Sequence, residues 1–267
     1  MKHTRVSSQT CFTPVERDLT WLEWIARHGP QSSEFLFEAT RGTHRCKDTA
    51  LRRLQTLREA GLLRLPLQQR QIAKADFNPY VYDLTQGAVR LLKAEGRWHD
   101  HLRPTGHWWH GLWVSAVTGA IEIEVKRDGD EYIPARRILD LRGAQLAVST
   151  KMGKLIPDQL FAIKSSDGYR AYMLEVDRGT EPVQSAAARK SLQRSLYQYA
   201  QVLRDGSARA HYGLRAPLTV LWVMNSKVRA VRVEEILQSQ SKSLRKRVSM
   251  ITVGGRFPRV ENCCALI

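Results

Sequence analysis

The chain has 267 residues, 43% of them hydrophobic, and its 42 Lys and Arg against 26 Asp and Glu give a formal net charge of +16. That apolar fraction excludes a disordered polymer, and no run reaches the roughly 18–20 apolar residues that cross a bilayer. The opening MKHTRVSSQT lacks the apolar centre of a secretion signal, so a cytoplasmic protein with no membrane contact is expected, and the charge excess points to a polyanion, nucleic acid first, as its partner.

In chain order, Thr13-Pro14 suits a helix start, with Thr13 as the cap and Pro14 in the first turn. Leu19, Trp21, Leu22 and Ile25 follow at helical spacing, and Gly29-Pro30 stops the run. Ser32-Ser33 can cap a second short helix reaching about Thr40, with Phe35, Leu36 and Ala39 inward. After the turn Arg41-Gly42-Thr43, a third helix runs from about 47 to 60 on the stripe Ala50, Leu51, Leu54, Leu57, and Gly61 ends it. Apolar segments at 62–67 and 80–84 flank a polar, basic stretch and read as a hairpin with a long tip, after which Thr85 caps a last helix through Lys93. Three helices followed by a hairpin make a winged helix-turn-helix over residues 1–98, and in such folds the third helix enters the major groove of double-stranded DNA. The candidate DNA contacts are Thr43, His44, Arg45, Lys47, Arg52 and Arg53 on and before that helix, with Arg70 and Lys74 at the tip. The bland alternative is a solvated helix face. Against it, Asp48 is the sole acid from Arg41 to Arg58, beside six Lys or Arg.

Residues 96–106 are short, polar and contain Pro104, which reads as a linker to a second domain over 107–267. The aromatic run His107-Trp108-Trp109-His110-Gly111-Leu112-Trp113, then Val114, Val117 and Ile121, suggests a helix packed on that domain, with His110 buried in it. Cys11, Cys46, Cys263 and Cys264 have no CxxC spacing and read as free thiols.

The most informative stretch is 155–181. Leu160, Phe161 and Ile163 precede the turn signal Ser165-Ser166-Asp167-Gly168, and Tyr172, Met173 and Leu174 follow it, which describes a β-hairpin. Alternation puts Glu175 and Asp177 on one face. Asp158 pairs opposite Glu175 if the turn is the four residues, or opposite Asp177 if it is only Asp167-Gly168. Either way three carboxylates share a face, and such a set needs a cation or a shared proton. Mg²⁺ suits an all-oxygen site of this kind and assists phosphodiester cleavage. The competing reading is a solvated strand end beside Arg178 and Lys154. Farther on, Leu192, Leu196 and Val202 outline a helix in which Tyr197 and Tyr199 are packing residues or, alternatively, nucleophiles for DNA nicking. Leu218–Met224 reads as a strand buried on both faces, 228–233 as a further strand, 234–240 as a helix, and Lys242, Arg245, Lys246 and Arg247 as a basic cluster.

Several of these residues also carry a resemblance: Pro157-Asp158; Glu175-Val176-Asp177-Arg178-Gly179-Thr180-Glu181; the helix with Tyr197 and Tyr199; His110-Gly111-Leu112-Trp113-Val114; and the strand at 218–225 followed by Arg229. This pattern resembles the replication-relaxation family of plasmid and mobile-element proteins, which overlaps the MOB-C class of mobilisation relaxases. The resemblance implies an α/β fold, with an N-terminal winged helix and a restriction-endonuclease-like domain of PD-(D/E)xK type. It implies work on DNA in replication or conjugative mobilisation, beside other mobilisation or replication proteins. It makes Asp158 and Glu175 metal-binding acids for Mg²⁺ or Mn²⁺. The nuclease pattern's Lys position is held here by Asp177, and Lys190 or Arg194 stands near enough in sequence to replace it; Tyr199 is the candidate nucleophile. A non-catalytic regulator or relaxosome accessory, and a homodimer, stay open.

Overall fold

The computed structural model describes residues 12–71, 79–180, 191–239, 242–255 and 257–263. Its first part runs α1 (Glu16–His28), β1 (Gln31–Ser32), α2 (Ser33–Ala39), α3 (Lys47–Glu59), β2 (Leu63–Arg64), a 3₁₀ turn (Leu67–Gln71), β3 (Val81–Leu84) and α4 (Gln86–Ala94). The helices form where the apolar spacing predicts. Thr85 caps α4 as expected, its Oγ1 accepting the Ala88 N–H at 3.2 Å. Thr13 does not cap α1. The helix begins after Val15, whose N–H donates to Asp18 Oδ2 at 2.8 Å, so the third residue's carboxylate closes the first turn instead. The three strands form an antiparallel sheet in the order β1-β3-β2. Strand β1 is absent from the sequence reading because two polar residues carry no periodicity. Gln31 is nevertheless buried, its Nε2 donating to the Ser115 carbonyl at 2.7 Å.

The second part runs α5 (Trp108–Arg127), β4 (Glu131–Pro134), α6 (Ala135–Leu139), β5 (Val148–Thr150), β6 (Gly153–Leu155), β7 (Gln159–Ser165), β8 (Gly168–Asp177), α7 (Leu192–Arg204), α8 (Ser207–Tyr212), β9 (Leu218–Met224), α9 (Lys227–Gln238), α10 (Lys242–Arg245), β10 (Val248–Thr252) and α11 (Val260–Cys263). A mixed sheet has the order β10-β9-β8-β7-β4, parallel across β10, β9 and β8 and antiparallel across β8, β7 and β4; β5 and β6 pair separately. Alternation splits its side chains. Phe161, Leu174, Val176 and Val223 share a core with α5, whereas Leu160, Met173, Val220 and Trp222 share one with α7, α8 and α9. The expected strand at 228–233 is the first half of α9. Ser226 Oγ accepts the Arg229 N–H at 3.4 Å, and Val233 and Leu237 pack inward, so a cap and a helical stripe override the β-branched residues.

The segment 96–106 separates the elements of the two parts but not their cores. Helix α5 is apolar around most of its circumference, and such a helix must be covered on more than one side. Leu22, Ile25 and Leu36 on one side of it and Leu174, Val176 and Val223 on the other fall in a single apolar cluster. The presumed linker is itself pinned. Arg97 bridges Glu16 and Glu23, Arg103 Nη2 reaches Asp83 Oδ1 at 2.5 Å, and Gln159 Nε2 donates to the Leu102 carbonyl at 2.8 Å. At Gly29, with φ +102°, a Cβ would meet Pro104 Cδ at 3.2 Å and Ser115 Oγ at 3.3 Å. Among the described residues no helix is long and apolar enough to cross a membrane.

Candidate nucleic-acid interface and carboxylate site

The β7–β8 hairpin has the register in which Ser165 faces Gly168 and Gln159 faces Leu174. Continued by one residue, it sets Asp158 against Glu175, and the Asp158 N–H still donates to the Leu174 carbonyl at 2.9 Å. Because Asp158 lies just past the last ladder pair, the strand no longer dictates its direction. Its Oδ2 accepts the Val176 N–H at 2.7 Å, and its Oδ1 lies 2.9 Å from His110 Nε2 in the first turn of α5. Glu175, buried, accepts the Tyr199 hydroxyl at 2.5 Å. Asp177 is closed off. Arg229 clasps it from α9, Nε to Oδ2 at 2.6 Å and Nη2 to Oδ1 at 3.1 Å, and the Gly179 N–H adds a bond at 2.9 Å.

Each of the three acids therefore has a partner of its own. Residues 158 and 175 stand at the hairpin's end, each already hydrogen-bonded, while Asp177 is paired with the Arg229 guanidinium. Among the described residues, no group of three or more His, Cys, Asp or Glu is placed to hold a metal ion. Each carboxylate of the predicted three-carboxylate site for Mg²⁺ or Mn²⁺ has a protein partner in this arrangement.

The other catalytic candidates divide as follows. Tyr199 is fully buried, and its phenol is pushed well above the usual tyrosine range, first by burial and then by the charge and hydrogen bond of Glu175. In this arrangement the phenol is an internal hydrogen-bond donor to Glu175. Arg194 donates to the Met152 carbonyl in the β5–β6 turn. Lys190 lies outside the described residues.

On the N-terminal part, Arg45, Lys47 and Arg52 are exposed. Lys47 stands 4.0 Å from Glu34, and Arg45 and Arg52 engage no carboxylate among the described residues. Thr43 is exposed, with its hydroxyl donating to the Thr40 carbonyl at 2.8 Å. His44 stacks on Trp21 with centroids 4.8 Å apart, and its pKa is lowered by burial and by Arg17, so it packs as a neutral ring. Arg53 is engaged within the protein, its guanidinium paired with the buried Asp18. Lys74 and the Arg70 side chain lie outside the described residues.

Comparison with known families gives one decisive match, a replication-relaxation model aligned over residues 22–218, most of the chain. The protein belongs to the replication-relaxation family. No curated protein matches it. Among solved structures, it is similar to SfsA from Pyrococcus furiosus in complex with Ca²⁺, at 12% identity and a TM-score of 0.24, over 52% of this chain and 56% of that one. At that score the likeness carries no argument.

Within this replication-relaxation protein, motif pieces far apart in sequence meet in space. His110 joins Asp158, and Arg229 joins Asp177. Both partners were visible only as matched motif positions; nothing in spacing or composition paired them. The Asp177-Arg178-Gly179-Thr180 segment turns the corner after β8. Gly179 has φ +81° and sits against Asn225, whose Nδ2 donates to the Arg178 carbonyl at 2.8 Å. Asp177→Ala is expected to cost about 2–3 kcal/mol in urea unfolding, below the full range for a broken buried pair because Arg229 retains some access to water. An unchanged midpoint would show that the corner holds without it.

Proposed function

We propose that this protein binds double-stranded DNA of a plasmid or mobile element in replication or mobilisation. In this reading residues 12–94 form a winged helix-turn-helix that presents α3 to the major groove. The mixed sheet is a PD-(D/E)xK-type platform that holds DNA without cutting it, as a relaxosome accessory or regulator would. The observation that carries the reading is the exposed run Arg45, Lys47 and Arg52, in which two arginines have no carboxylate partner among the described residues. The excess of +16 charges supplies long-range attraction for the same polyanion. Helix α5 packs between α1 and α2 on one side and the sheet on the other, so both parts share one core.

The test is anisotropy on a mixed-sequence duplex across a salt series. Affinity should fall steeply with salt, and an Arg45→Ala/Arg52→Ala variant should lose affinity and about 0.9 of logarithmic slope for each phosphate contact removed. The same affinity and slope in variant and parent would reject α3 as the contact. Incubation of supercoiled plasmid with protein and Mg²⁺ should retard the plasmid and leave it intact. Nicking that disappears in Asp158→Ala/Glu175→Ala would replace the binding reading with a nuclease.

A further inference from the structure

At the end of the sheet remote from Asp158 and Glu175, a cleft of about 610 Å³ opens between α6, the start of β8 and the segment leading into β9. Ile133, Ala162 and Leu214 make an apolar floor, and Tyr169, Arg137 and Arg215 stand at the rim. The register explains the arrangement. Ile133 faces Ala162, and Lys164 faces Tyr169, so these four side chains project from one face of the sheet, the face that also carries Glu175. From Tyr169 to Glu175 is six residues of β8, about 20 Å at ~3.3 Å per residue.

Two features depart from an ordinary surface. Tyr169 is an aromatic side chain left 51% exposed, with Lys164 Nζ 5.9 Å from its ring centroid. The rim is also cationic. Glu131, the carboxylate beside it, is engaged by Arg137 at 2.6 Å and Lys164 at 3.5 Å, while Arg215 engages no carboxylate among the described residues. An apolar floor favours a flat uncharged body; the rim favours an anion attached to it. An unpaired nucleotide combines the two.

We propose that this cleft binds single-stranded DNA, seating a base against Tyr169 and the apolar floor with its phosphate toward Arg137 and Arg215. Every base offers a π-face, so stacking on an exposed tyrosine beside cations needs no sequence match. A base pair inside a duplex cannot enter, because its faces are already stacked. The inference rests on the DNA-binding reading above and extends it: α3 holds the duplex, and the cleft holds an unpaired stretch of the same element.

The experiment uses the full chain, with anisotropy of labelled oligo-dT and, separately, of a mixed-sequence duplex. Tyr169→Ala and Arg215→Ala are exposed-site changes, and a thermal melt of each checks the fold. Each should weaken oligo-dT binding about tenfold and leave duplex affinity alone, whereas Arg45→Ala/Arg52→Ala should do the reverse. Wild-type oligo-dT affinity in Tyr169→Ala, with duplex binding intact, overturns the cleft assignment and leaves the duplex reading standing. Failure of the wild-type protein to bind either nucleic acid removes both. Leu141 is an exposed leucine in the cleft's lining, and a concentration-dependent dimer in sedimentation that Leu141→Asp dissolves would show a second copy in the cleft and likewise overturn the assignment.

Discussion

Glu122→Ala is expected to destabilise the protein by about 3–5 kcal/mol at neutral pH, the usual cost of breaking a buried ion pair from one side. Glu122 is fully buried on α5. Its Oε2 meets His28 Nε2 at 2.7 Å, and its Oε1 pairs with Lys126 Nζ at 2.7 Å and Arg27 Nη1 at 3.2 Å. His28 is buried as well, its Nδ1 2.9 Å from Thr118 Oγ1, so it too would lose its charged neighbour. Burial alone would raise the Glu122 carboxyl. The hydrogen bond from His28 and the charges around it outweigh burial and bring it down to about 2 from 4.5.

The pH dependence follows from the signs. Glu122 is depressed in the folded state, so its contribution is complete above about pH 4.5 and is lost as pH falls toward 2. His28 is held below 6.5 by burial, and His101 is lowered to about 4 by burial and by Arg27. Below pH 6.5 the unfolded chain takes these protons first, so both histidines also make the fold weaker in acid. Stability should therefore decline from about pH 6.5 downward, and Glu122→Ala should flatten the part between 4.5 and 2. Urea midpoints for both proteins over that range provide the check. Parallel curves would mean that the network does not couple protonation to folding. Because Arg27 and His28 belong to α1, hydrogen exchange should also show α1 losing protection in the variant before the sheet does.

Arg53→Ala is expected to cost about 3 kcal/mol, whereas Arg52→Ala, its neighbour, should stay within about 0.5. Arg53 Nε lies 3.0 Å from Asp18 Oδ1, and its guanidinium stacks over Phe12 at 4.7 Å. Asp18 is fully buried; without Arg53 it keeps the Val15 N–H and no counter-charge. The low end of the range applies because Arg53 is 24% exposed and water can reach part of the pair. The neighbours thus separate two roles on one helix: Arg52 should change DNA affinity at constant stability, and Arg53 stability. An Arg53→Ala protein with a wild-type urea midpoint and lost DNA binding would invert that assignment.

These contrasts show what could be read before the fold. The helices with a clear stripe and a cap or stop, such as α3 with Leu54 and Leu57 and α4 with Thr85, were legible, because their information is local. So was the β7–β8 hairpin, whose turn signal narrowed the register to two choices. Strands β1, β4, β5 and β6 were not. Each has four residues or fewer, too few for alternation to register, and each is held by partners elsewhere in the chain. Arg52 and Arg53 look alike in sequence; about 100° of helical phase and the distant Asp18 make one a surface cation and the other an internal strut.

Composition, helical phase and turn chemistry thus settled, from the chain alone, that this is a basic α/β protein and that Asp158 faces either Glu175 or Asp177 across one hairpin. Which partner each of those acids takes, whether Tyr199 sees solvent, and whether residues 96–106 are a tether or a clamp were decided only by packing. Side-chain charges are neutralised by whichever partner the fold brings within a few ångströms. Arg229, 52 residues after Asp177, is such a partner, and no local rule of sequence could place it there.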